Sequence, residues 1–116
     1  MADSEMVIFT RTYDFLTWLV PMTNHFPRAQ RHTVTARLLA AAFELRELLE
    51  VANLRKGQAR LERLQRADEA LARVRFYLRL ARSWNWLTVG QYGHSAEMVT
   101  EIGNLLGGWL RQTAGR

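Results

Sequence analysis

Arg75, Arg79 and Arg82 recur at i, i+4 and i+7, a spacing that lines up side chains in one stripe along a helix. Arg28 and Arg31 stand three residues apart earlier in the chain. A guanidinium is a rigid fork of five N–H donors that matches the oxygens of phosphate or carboxylate. The chemistry such a set performs is recognition of an anion, not bond making. His25, His32, Trp84 and Trp86 are close to these arginines in the sequence, and aromatic rings offer bases a surface to stack on.

The remaining reactive residues do not assemble into a catalyst. A di-metal bundle needs Glu-x-x-His on two helices, whereas His94-Ser-Ala-Glu97 has the reverse order and stands alone. His25, His32 and His94 lack the paired spacing of a zinc site, and His94 reads as a surface or capping residue. With no cysteine in the chain, thiolate ligands, disulfides and a cysteine nucleophile are excluded. Glu44 with Glu47, and Glu97 with Glu101, are one-turn pairs of the kind common on solvated helices. No glycine loop that could cradle phosphate precedes a helix, and no Gly-x-Ser-x-Gly occurs. The expectation is a protein with no catalytic residue, no metal and no cofactor.

Charge narrows the class of partner. The chain has 116 residues, sixteen basic and eleven acidic, and fifteen of the sixteen are Arg. Residues 28–85 hold thirteen basic and six acidic groups, a net of +7, while residues 1–27 sum to −2 and residues 86–116 to zero. The middle of the chain therefore sets the field, and that field favours a polyanion. The acidic opening Met-Ala-Asp-Ser-Glu-Met lacks the basic start of a secretory signal, and charged residues interrupt every apolar run. A cytoplasmic protein with no membrane segment is expected.

The elements that must position these arginines are all helical. Apolar spacing predicts an all-α chain, one domain over residues 1–116, with helices at about 10–24, 28–53, 58–85 and 89–112. Pro21 weakens the end of the first helix, Pro27 suits the opening turn of the second, and Gly57 allows the central reversal. Thr88 and Gln91 have capping-box spacing ahead of the fourth helix, which should fray near Thr113. Short connections make consecutive helices antiparallel, so the expected architecture is an up-down-up-down four-helix bundle. In such a bundle the C-terminal end of the third helix lies beside the start of the second. All five arginines should then gather at one end of the molecule.

The first helix has two apolar stripes. Phe9, Tyr13, Leu16 and Val20 form one, read as the core face; Phe15, Trp18 and Met22 form the other, read as a contact with a second subunit. Gly103 and Gly107, four residues apart, leave a notch where a helix can pack closely, within the chain or between subunits, and are counted with the subunit-contact residues.

The ordered landmarks resemble a known family. Tyr13-Asp-Phe-Leu-Thr-Trp-Leu19, Phe26-Pro-Arg-Ala-Gln-Arg31, the arginine-rich run Arg75-Phe-Tyr-Leu-Arg-Leu-Ala-Arg82, then Tyr92 and Ile102-Gly-Asn-Leu-Leu-Gly-Gly-Trp109 are similar to the accessory variability determinant proteins of diversity-generating retroelements. These are related to four-helix-bundle proteins encoded in ribosomal-RNA intervening sequences. The resemblance spans about Thr10 to Trp109. It implies a non-enzymatic partner of a retroelement reverse transcriptase, assembled as a five-fold barrel-like homo-oligomer. Such a protein binds both the enzyme and nucleic acid, template RNA or cDNA, and supports mutagenic copying. Arg28 and Arg31 match the family's Phe-Pro-Arg-x-x-Arg, and Arg75, Arg79 and Arg82 fall in its basic third helix. A second reading stays open beside this one: an oligomeric scaffold whose arginines meet an acidic protein and no nucleic acid.

Overall fold

In the computed structural model, which describes residues 3–115, the chain forms α1 (Asp3–Met22), α2 (Val34–Asn53), α3 (Gly57–Ser83) and α4 (Val89–Ala114). Two short 3₁₀ turns, Thr23–His25 and Arg28–Gln30, join α1 to α2, and no strand occurs among the described residues. Each helix packs on two others: α1 on α2 and α4, α3 on α2 and α4. The result is a four-helix bundle of about 45 × 25 × 20 Å. Its long dimension is set by α3, whose 27 residues span about 40 Å at a rise of about 1.5 Å each.

The predicted stripes of α2, α3 and α4 reach the core at Leu38, Ala41, Leu45, Leu48, Ala52, Leu64, Leu71, Val74, Leu78, Val99, Ile102 and Leu106. In α1 the face is turned. Ile8, Thr12, Phe15 and Leu19 are the buried stripe, whereas Tyr13 is 64% exposed and Val20 38%. Thr12 is the one polar member of that stripe. Its hydroxyl donates to the carbonyl of Ile8 at 2.9 Å and accepts a guanidinium N–H from Arg46 at 3.2 Å, so a polar residue sits in the core with its bonds made. Phe15, at 1% exposure, is a core residue and not a subunit contact. Trp18 and Met22 are half-buried and pack on the same core.

Several helix limits also differ from those predicted. Nothing between Asp3 and Pro21 breaks a helix, so α1 begins well before Thr10. α2 begins at Val34, not at Arg28, because Arg28–Gln30 closes into a 3₁₀ turn and Thr33 leaves helical geometry with φ −118° and ψ −99°. The Thr33 hydroxyl donates to the Gln30 side-chain oxygen at 2.6 Å, one of the local bonds that compete with a helix.

α3 stops at Ser83. Asn85 takes a left-handed φ of 61°, Trp86 N–H donates to Ala81 O at 2.8 Å, and Asn85 N–H donates to Arg82 O at 3.1 Å. This is a Schellman C-cap with asparagine in the position usually held by glycine. Thr88 and Gln91 form the predicted capping box: Gln91 N–H donates to the Thr88 hydroxyl at 3.1 Å, and Thr88 N–H donates to the Gln91 side chain at 2.9 Å. Gly57 opens α3 at a φ of +58°. α4 stays helical to Ala114, beyond its expected frayed end.

Candidate nucleic-acid interface

The two ends of chain that carry the arginines do meet. Phe26 packs on Trp86 with ring centroids 5.4 Å apart, and Trp86 on Trp84 at 5.1 Å, so the α1–α2 connection and the α3–α4 turn share one end of the bundle. Trp84 stays about half exposed there. The five arginines, however, do not converge on one surface. They divide into three settings, each fixed by the element that carries them.

Arg28 and Arg31 belong to the connection ahead of α2. Both are exposed and line a cavity of about 150 Å³ together with Thr23, Asn24, Phe26 and Thr35. The Thr35 hydroxyl is buried at its wall and has no hydrogen-bond partner. His25 and His32 are exposed on the same connection.

Arg75 and Arg79 line a different cavity, of about 170 Å³, in the seam between α3 and α4 with Leu78, Tyr92, Val99 and Thr100. Arg75 is half-buried, and its Nη2 reaches Val99 O only at 3.4 Å. Its guanidinium lies over Gly103, where a Cβ would come within 2.4 Å of that nitrogen. The notch at Gly103 is therefore filled from within the chain, which corrects its placement at a subunit interface. Gly107 is likewise covered by its own chain, since the Arg111 guanidinium would lie 3.4 Å from a Cβ there.

Arg82 is engaged in the turn. Its Nη1 donates to Leu87 O and to the Asn85 side-chain oxygen, both at 3.3 Å, so it ties the end of α3 to the start of α4.

What unites the five is the company they lack. Among the described residues, none of Arg28, Arg31, Arg75, Arg79 and Arg82 comes within ion-pair distance of a carboxylate. Arg11 pairs with Glu101, Arg46 with Glu50, Arg63 with Glu62 and Arg73 with Glu44. The bond to Glu101 also raises the Arg11 pKa above its ordinary value. Of these pairs, Arg11–Glu101 bridges α1 to α4 and Arg73–Glu44 bridges α2 to α3, while the cavity on the α3–α4 seam is lined by guanidiniums and no carboxylate. The cavity beside the Arg11 pair is lined by Asp14, Trp18, His94, Met98 and Glu101, with the Trp18 and His94 rings edge to face at 5.4 Å. No group of three His, Cys, Asp or Glu among the described residues is placed to hold a metal ion. Nor is any described helix long and apolar enough to cross a membrane.

Sequence spacing located the α3 stripe but missed Tyr92 and Thr100, which share its seam, and Arg46, which looks like any other arginine. The Arg46 guanidinium donates to Phe9 O at 2.9 Å, lies 5.1 Å from the centre of the Phe9 ring, and contacts Glu50 at 2.7 Å. No one-dimensional signal separates it from Arg79.

Residues 6–113 match the bAvd-like family over nearly the whole bundle. The chain belongs to the bAvd-like family. The match supports an Avd-like protein, the resemblance read from the sequence. Among solved structures, a protein of unknown function from the S23 ribosomal protein family of Bacteroides thetaiotaomicron has a TM-score of 0.84 at 16% identity, covering 93% of this chain and 98% of that one. At that identity the likeness speaks for the fold, and the fold is the same bundle. No curated protein matches the chain.

Proposed function

We propose that this Avd-type accessory protein serves a diversity-generating retroelement by binding the reverse transcriptase and the template RNA or its cDNA through arginines on the α3–α4 seam and the α1–α2 connection. The observation that carries this reading is the sorting of arginines. Arg11, Arg46, Arg63 and Arg73 have carboxylates; among the arginines that have none among the described residues, Arg28, Arg31, Arg75 and Arg79 line two cavities that no carboxylate lines. A guanidinium left without a carboxylate on a protein of net charge +5 is a ready contact for phosphate. Trp84, half exposed at the turn end, adds stacking surface for an unpaired base. The protein binds and orients; the copying chemistry belongs to the enzyme it assists, in the cytoplasm.

Within the same reading the protein works as a ring of identical copies, five by its family resemblance. Its surface for that role differs from the one expected from sequence. Tyr13 and Val20 on α1, with Phe43 on α2 at 44% exposure, flank the seam across which Arg46 reaches Phe9. These exposed apolar side chains are the ones a second copy would cover.

The test is retention of single-stranded RNA by the purified protein across a salt series. Binding should weaken steeply as salt rises, by roughly 0.7 in log–log slope for each phosphate neutralised. Charge reversal at Arg75 and Arg79 should abolish retention. Binding indifferent to both changes would sink the electrostatic reading. Co-purification with a partner protein after exhaustive nuclease digestion, with no retention on RNA, would favour the scaffold that meets an acidic protein instead.

A further inference from the structure

The α3–α4 seam carries more detail than a basic patch. The Arg75 guanidinium is half-buried, has no carboxylate, and uses one of its five donors on Val99 O at 3.4 Å, a long bond. Arg79 stands one turn further along the same helix and opens into the same cavity. Leu78 and Val99 give that cavity apolar walls, which strengthen any charge pairing inside it. Its volume of about 170 Å³ is well below the roughly 300 Å³ at which pockets begin to enclose a drug-sized molecule. It has room for an oxyanion group between the two guanidiniums.

We propose that this seam seats a single backbone phosphate of a bound nucleic-acid strand, clamped between Arg75 and Arg79, and that Gly103 is the positioning residue that holds Arg75 in place for it. The proposal rests on the nucleic-acid reading above and sharpens it to one phosphodiester site. Gly103 acts by what it lacks: any Cβ there would overlap Arg75 Nη2, so the tip of that guanidinium would have to shift from its present seat beside Val99 O. Gly93, on the same helix, has no atom within 4 Å of a Cβ position and serves as its control.

The experiment measures affinity of the full chain for a single-stranded oligouridylate by filter binding at several salt concentrations. Variants are Gly103→Ala, Arg75→Gln and Gly93→Ala. Gly103→Ala removes no charge, so a general electrostatic attraction predicts no change. A seated phosphate predicts a roughly three- to tenfold loss at low salt and a log–log salt slope shallower by about 0.7, one single-strand contact. Arg75→Gln should lose at least as much, and Gly93→Ala nothing. Helix content by circular dichroism should be the same in all four proteins. If the wild type binds and Gly103→Ala binds with the same affinity and slope, the phosphate seat is wrong and the broader reading survives. If the wild type does not bind the oligonucleotide at all, the broader reading fails and takes the seat with it. Uridine monophosphate occupying the seam as tightly as the oligonucleotide, by titration calorimetry, would reassign it to a free metabolite and overturn the backbone assignment.

Discussion

Arg46 and Arg79 differ in nothing that the sequence displays, yet they do opposite work. Arg46 bonds Phe9 O, the Thr12 hydroxyl and Glu50, and covers the Phe9 ring, so it joins α2 to α1 at a part-buried site. Its charge-assisted bond to a backbone carbonyl matters more than the exposed ion pair. Arg46→Ala should therefore destabilise the fold by about 2 kcal/mol, a fall in melting temperature of roughly 8 °C for a chain of this size. Arg79 has no bonded partner among the described residues, and Arg79→Ala should stay within about 0.5 kcal/mol of wild type while weakening RNA retention. Thermal unfolding of the two variants side by side checks this. Equal melting temperatures would mean that sorting arginines by partner does not sort them by role. Helical spacing made the arginine stripe legible, but which arginine is structural depends on neighbours from other helices, and spacing does not encode those.

The helix ends show where local sequence suffices and where it does not. Thr88 and Gln91 cap α4 through bonds between residues three apart, so the motif reads directly from the chain. Thr88→Ala should cost about 1 kcal/mol in denaturant unfolding, with the slope unchanged. The stop of α3 was legible to within two residues: apolar spacing ends the helix at about 85, and it ends at Ser83 because Asn85 takes the left-handed φ of the cap. Asn85→Ala should cost about 1–2 kcal/mol, from an alanine forced into that conformation and from the loss of the Arg82 acceptor. If Asn85→Ala is neutral, the turn is held by something other than the cap. α1 misled, however. Both of its faces are apolar, and the true core face carries Thr12, whose hydroxyl donates within α1 and also accepts from Arg46 of α2. The alternation of faces was visible; the choice between them required the tertiary contact.

At the scale of the molecule, the exposed Tyr13, Val20 and Phe43 set the expectation for assembly. Tyr13→Glu with Phe43→Glu should shift the mass from light scattering to that of one chain, at micromolar concentration. Trp18→Glu, at a half-buried position packed on the core, should lower stability more than it lowers mass. A wild type that is already a single chain would remove the self-association role from this face. The four tryptophans fall into two groups: Trp84 and Trp86 at the turn end, with Trp18 near the end of α1 on the same side, and Trp109 beside Phe9 and Arg60 near the start of α3. Arg60 and Trp84 are separated by roughly 36 Å of α3, at about 1.5 Å per residue. Each end of the rod thus has its own intrinsic emitter, one wet and one dry. A ligand arriving at the turn would quench the first and leave the second alight, so the protein reports without a label which of its ends has been touched.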